Sequence, residues 1–238
     1  MLRALRIPEL AQRDRFLRAA IVSGRVYTVM DGADLATVDS PREPLRGTAL
    51  LWSRLAEARR WADVLAREPS VATLSLGQLV ARTLPELGMH GLLAGTDWNA
   101  EPCEPELTPS DLASRLSIEA QEAFLAQASA SGSLWILEHA EGPALIGSAR
   151  AHLGEHSTAA QTVLPCWTRR ADAELHAADR WAGAKALSIP LDSFRKLTLP
   201  WLAEQGWLVA AATPEEAHGL ELTPHALSAR LATAQAAE

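Results

Sequence analysis

Two stretches of the chain repeat each other. Thr83–Ala94 reads TLPELGMHGLLA and Thr198–Val209 reads TLPWLAEQGWLV, so Thr, Leu, Pro, Leu, Gly and Leu recur at a constant spacing of 115 residues. The same spacing relates LTPSDLASRL at Leu107–Leu116 to LTPHALSARL at Leu222–Leu231. A chain patterned this way is a tandem duplication and is expected to fold the same way twice. Its 238 residues divide into two repeats, 1–117 and 118–238. Each has an ordinary domain size and is long enough to bury its own core.

Each repeat opens on an amphipathic helix. Phe16, Leu17, Ala20 and Ile21 share one face of a helix over Leu10–Ile21, which Ser23-Gly24 ends. Phe124 and Leu125 mark the counterpart over Ile118–Ala130, ended by Ser131-Gly132 at an offset of 108. Three strand-like runs follow: Val26–Met30, Leu35–Val38 and Thr48–Trp52, then Leu134–His139, Ala144–Ser148 and Thr162–Trp167. Their alternation and turn residues predict an antiparallel meander. The offset grows from 108 to 115 inside this region, which places a longer hairpin loop around Ala149–Ala160 of the second repeat.

Ser53 and Thr168 follow the last tryptophan of each third strand and are positioned to cap the next helix. A further strand, Val71–Leu74 or Lys185–Ile189, leads into the most periodic helix of each repeat. Pro85 and Pro200 lie inside that pattern and predict a kink or a break. Threonine followed by proline at 108–109 and 223–224 starts the closing helices. The first of these runs toward residue 130 either unbroken or with a break at Ser117. The expected class is α+β, two copies of a mostly antiparallel sheet packed with helices, arranged as a pseudo-twofold pair.

This order of elements resembles a bacterial family, domain of unknown function 2750, present twice and covering roughly residues 10–117 and 118–232. The Gly-hydrophobic strand, loop and Leu-Thr-Pro helix at the end of each repeat also resemble the SseB-like domain. The first family usually has a single repeat, which implies that a homodimer is mimicked here within one chain. The resemblance brings no catalytic residues and implies a small α+β fold and a non-enzymatic role.

Charge narrows the partners. Residues 1–107 carry 13 basic and 14 acidic side chains, residues 108–238 carry 9 and 15. The acidic second half repels phosphate backbones, which argues against nucleic acid and for another protein, a basic one fitting best. No apolar run is long enough to span a membrane, and the first residues lack a secretory pattern. With two unmatched cysteines, Cys103 and Cys166, this fits a cytoplasmic protein without a disulfide framework, as monomer or homodimer.

His152-Leu153-Gly154-Glu155-His156 has the His-x-x-Glu-His spacing of inverted zinc peptidases. Gly154 weakens any helix there, and the run falls in the longer loop. His152, Glu155 and His156 are therefore weak metal candidates, and the loop reads better as a partner contact. Trp52 and Trp167 are equivalent, as are Tyr27 and Trp135, which points to packing. The unmatched Trp98, in a polar segment, and Trp201, beside Pro200, are the surface candidates for partner binding. Arg13, Arg15, Arg18, Arg59 and Arg60 are interleaved with acids and read as a solvated face.

No cofactor is implied. The function expected is a cytoplasmic protein-interaction module of immunity or adaptor type. The alternatives are a small-molecule or peptide sensor with its pocket between the repeats and a metal-dependent hydrolase using His152, Glu155 and His156.

Overall fold

A computed structural model describes residues 7–99, 105–152 and 162–236. The chain divides into two compact units, 1–117 and 118–238, both mixed α+β.

In unit 1, helix α1 (Ile7–Ser23) ends at Gly24, which has φ +72° and donates its N–H to Ala20 O. Glycine is suited to this left-handed position because it has no Cβ. Strand β1 (Arg25–Asp31) pairs along one edge with β5 (Pro69–Ser75) and along the other with β2 (Asp34–Leu35) and β4 (Gly47–Trp52). The run expected over Leu35–Val38 bends, so that β2 pairs with β1 while β3 (Thr37–Asp39) pairs with β4. Helix α2 (Leu55–Leu65) packs Ala58 and Ala62 on the core shared by Val29, Leu50 and Trp52.

The three runs of the expected meander pair antiparallel, and β6 (Leu93–Thr96) then adds a parallel neighbour to β4, with Thr48 opposite Leu93. A parallel neighbour needs a crossover, and α2, β5 and the helix after it supply one. Strand β7 (Glu106–Leu107) closes the sheet antiparallel to β6.

That crossover helix answers the proline question. It runs as α3 (Leu76–Gln78), a π-helical turn (Leu79–Thr83) and α4 (Leu84–Met89). The Leu84 N–H reaches back five residues to Leu79 O, and backbone dihedrals stay helical throughout. The wider turn relieves the clash between the Pro85 ring and the preceding turn, and it leaves Pro85 in the first turn of α4, where a missing N–H matters little. A π turn stands at the place where a kink or break is expected. Thr108 then accepts the Asp111 N–H and starts α5 (Pro109–Ser131), one unbroken helix of about 34 Å at 1.5 Å per residue.

Unit 2 repeats the plan with β8 (Ser133–His139), β9 (Gly142–Pro143), β10 (Ile146–Gly147), β11 (Thr162–Cys166), α6 (Arg170–Asp179) and β12 (Lys185–Pro190). Then come α7 (Leu191–Ser193), a π turn (Phe194–Thr198), α8 (Leu199–Glu204), β13 (Leu208–Ala211), β14 (Leu220–Leu222) and α9 (Pro224–Ala236). The registers agree pair by pair. Thr48 faces Leu93 and Val163 faces Leu208; Ala94 faces Leu107 and Val209 faces Leu222. Leu199 N–H reaches Phe194 O as Leu84 reaches Leu79. The added residues of the second copy begin with a short 3₁₀ turn at Ala149–His152.

The copies share one internal device. Tyr27 pairs with Trp52, and Trp135 bridges Trp167. Both Trp52 and Trp167 are almost fully buried, and an indole N–H removed from water needs an acceptor. Trp52 Nε1 donates to Trp98 O at 3.0 Å and Trp167 Nε1 to Thr213 O at 3.2 Å, positions 115 apart.

Ser53 and Thr168 do not cap the following helices, which begin at Arg54 and Arg169 without side-chain caps. Ser53 bonds Asp97, and Thr168 bonds Gln127.

Copy-specific packing gives the first test. A Cβ on Gly95 would lie 2.6 Å from Leu50 Cδ2 and 2.8 Å from Trp98 Nε1. The equivalent pair in unit 2 is Ala210 and Thr213. Gly95→Ala is expected to cost about 1–3 kcal/mol by overpacking, and Trp98→Thr about 3–5 kcal/mol by leaving a cavity. The double variant should lose less than the sum, because the new methyl fills vacated space. Urea unfolding of the four proteins reads the coupling, and strict additivity would contradict it.

Candidate functional site

The residues singled out in the sequence scatter. Trp98 is 5% exposed, in the core with Trp52, and its Nε1 donates to Pro105 O. The expectation of a surface aromatic there is corrected: the missing side chain at Gly95 makes the room it occupies. The backbone of His152 ends the 3₁₀ turn, while its side chain, Glu155 and His156 fall outside the described residues. Among the described residues no group of three His, Cys, Asp or Glu side chains is placed to hold a metal. Cys103 also lies outside them. Cys166 is buried at the end of β11, and burial pushes its thiol well above the ordinary range, leaving it protonated and unreactive.

Trp201 is exposed, at 40%. Its ring meets Trp207 edge to face, with centroids 5.1 Å apart. Leu197, one turn earlier, is 69% exposed, and Leu187 on the edge strand β12 is 41% exposed. The internal repeat shows what these positions need for folding alone. At offset 115 they correspond to Glu86, Leu92, Arg82 and Ala72, which line a groove of about 620 Å³ in unit 1. There Arg82 and Glu86 form an exposed ion pair at 3.0 Å. In unit 2 a groove of about 710 Å³ is lined by His139, Glu141, Pro143, Leu145 and Trp207 among others; Trp207 alone of the four positions lines it, and Leu187, Leu197 and Trp201 lie on the surface outside it.

One backbone thus carries a charged pair in one copy and Leu197 with Trp201 in the other. An exposed ion pair contributes little to stability, and an exposed Leu–Trp pair is no better for solubility. The apolar residues at this place are not required by the fold. The charges beside them are Lys196 and Arg195, both bonded to Asp192, and Lys185, on the same strand face as Leu187. The hydrogen bond from Lys196 holds the Asp192 carboxyl below its usual range.

Two buried carboxylates escaped the sequence reading. Glu106 accepts hydrogen bonds from the Ser40 and Thr48 hydroxyls. Glu221, 115 residues on, accepts from Ser148 Oγ and Ala149 N–H, each at 2.6 Å. Both are at most 4% exposed. They fasten the loop before β4 or β11 to the last strand. Their signal was present: the second echo extends one residue upstream, to Glu-Leu-Thr-Pro at 106–109 and 221–224.

Asp97 follows β6 with φ +48°, in the left-handed region that aspartate tolerates better than most residues. Its carboxylate accepts the Ser53 N–H at 2.7 Å and the Ser53 hydroxyl at 2.9 Å. Burial raises its pKa above the ordinary value, against the lowering effect of these bonds and of Arg54 and Arg15. The equivalent residue in unit 2 is Ala212.

A family model described as "Protein of unknown function (DUF2750)" matches residues 13–116 and again 121–231. No SseB-like match accompanies it. No curated protein matches the chain. Among solved structures, Anabaena Tic22 (protein transport) is similar at 11% identity and TM-score 0.28, covering 84% of this chain and 92% of that one. Tic22 from Plasmodium falciparum is similar at 5% identity and TM-score 0.24, covering 74% and 84%. Likeness at this level carries no functional argument. Among the described residues no helix is long and apolar enough to cross a membrane.

The Asp97 geometry makes a pH prediction. A carboxyl whose native pKa is raised stabilises the fold most below its unfolded value, near 3.8, and that contribution is lost as pH rises through the native value. Asp97→Asn is neutral at every pH. The melting temperature of Asp97→Asn, relative to the parent, should therefore climb as pH rises from about 4 to 7. A flat difference across that range would show that the Ser53 bonds cancel the burial.

Proposed function

The chain belongs to the DUF2750 family in two tandem copies, and we propose that it is a non-catalytic protein-interaction module whose binding surface is the exposed apolar patch of Leu187, Leu197 and Trp201 in unit 2. The observation that carries this reading is the divergence of the copies. Leu197, Trp201 and Trp207 stand where unit 1 has Arg82, Glu86 and Leu92, on the same π-turn helix and strand. Tryptophan at the centre of an exposed patch is the residue type that contributes most when an interface excludes water. Lys185 lies two residues before Leu187 on β12, opposite Glu138, and Lys196 precedes Leu197 and is bonded to Asp192; they are the only two lysines of the chain. The segment seated there is apolar with acidic flanks, rather than the basic partner that net charge alone suggests. A cytoplasmic adaptor or immunity-type protein uses a surface of this kind to hold one segment of its target.

Selection of peptides from a displayed library on the full chain tests the reading. Bound peptides should combine large apolar residues with flanking Asp or Glu. Trp201→Ala should weaken the selected peptides by roughly thirtyfold, as a hot-spot residue does. Arg82→Ala with Glu86→Ala should leave binding unchanged. These side chains are exposed, so folding is expected to survive both changes. Failure to select any peptide, or peptides indifferent to Trp201→Ala, would remove the proposal.

A further inference from the structure

Unit 1 has a second cleft, of about 430 Å³, at the carboxyl ends of the parallel strands β4 and β6. Such ends are where open α/β sheets place ligands. Gln12, Ser53 and Asp97 line it together with Arg15, Arg54 and Arg60. We infer that this cleft binds a small molecule bearing an oxyanion group, phosphate or carboxylate.

Three observations carry the inference. First, the cations differ in their commitments. Arg13 is paired with Asp14, Arg46 with Glu43 and Arg60 with Glu57. Arg15 and Arg54 influence Asp97 through space but make no hydrogen bond or ion pair among the described residues. Both are exposed on the cleft, with guanidinium forks of the shape that takes a phosphate or carboxylate by two bonds.

Second, Ser53 stands where it would cap α2, yet its hydroxyl and N–H are both committed to Asp97. The start of this eleven-residue helix is left without a side-chain cap, next to Arg54. An anion there would meet the positive end of the helix dipole, beside Glu57 of the first turn, which is paired with Arg60.

Third, the other copy has dismantled the same place: the start of its helix keeps the same backbone, while Ala212 lacks the left-handed φ of Asp97. Arg169, the counterpart of Arg54, is closed onto Asp172 by two bonds at 2.8 and 2.9 Å. Ala123, Leu175 and Ala212 replace Arg15, Arg60 and Asp97. The polar set of unit 1 is therefore not a requirement of the fold. The Asp97 carboxylate adds a selection rule. A ligand that also presents a hydroxyl or ammonium toward it fits better than a bare dianion, which it repels.

Isothermal titration of the full chain, at matched ionic strength, separates the two anion chemistries. Inorganic pyrophosphate probes the phosphate arm and citrate the carboxylate arm. Saturable binding in at least one arm is expected. Arg15→Gln with Arg54→Gln should weaken it at least tenfold while leaving the melting temperature unchanged. Arg54→Lys, which keeps the charge and loses the fork, should weaken it less. Arg169→Gln, the matched change in unit 2, should have no effect. Absence of saturable binding in both arms overturns the inference. So does an equal loss in Arg169→Gln, which would mark diffuse attraction to surface charge.

Discussion

Each unit is built around a buried tryptophan that has to find an acceptor. Trp52 ends β4 and Trp167 directly follows β11, and both are nearly inaccessible to water. Hydrophobic burial draws the rings inward, but the indole N–H would oppose it if left unpaired. The acceptor is a backbone carbonyl just beyond the parallel strand, Trp98 O or Thr213 O. That bond fixes where the chain goes after β6 and β13, and so where the closing strand and helix begin. Trp61 on Trp52, and His176 on Trp167 at the equivalent place, complete the packing from the helix side.

Much of this was legible because duplication supplies an internal comparison. Two echoes at one spacing marked the repeat, the glycines marked the helix ends, and Thr-Pro marked the closing helices. The strands at Val26–Met30 and Thr48–Trp52 formed close to where alternation put them. The parallel pairing of β4 with β6 was not legible, because alternation does not reveal the direction of a neighbour. The π turn at the prolines was not legible for a related reason. Helix periodicity tolerates one extra residue per turn, and a π turn leaves the apolar face nearly unchanged. Trp98 was misplaced although its clue was in view: Gly95 and Trp98 trade volume against Ala210 and Thr213. Reading single positions rather than compensating pairs hid the exchange.

The candidate surfaces were less legible than the fold. Trp201 was picked out as unmatched, and its exposure makes it the centre of the unit 2 surface. Leu187 and Leu197 were not singled out, since a sequence does not say which apolar residues stay uncovered. Of the arginines of the unit 1 cleft, Arg15 and Arg60 were read as part of a solvated face, and Arg54 was not singled out. Only the coordinates separate those engaged with acids from Arg15 and Arg54. In both places the informative contrast lies between copies: matching registers of the parallel strands carry an exposed charged pair in one copy and exposed Leu197 and Trp201 in the other, and a polar cleft in one and a plainer surface in the other.

One further property of the duplication concerns length rather than chemistry. Between Ser40 and Thr48 the first copy spends seven fewer residues than the second does between Ser148 and Val163, yet each serine reaches the buried glutamate of its own copy, Glu106 or Glu221, and both strands keep the same register. The anchoring bonds thus insulate the sheet from whatever is threaded between them. This stretch is a natural port of the scaffold, where foreign sequence can be spliced in without disturbing the architecture on either side.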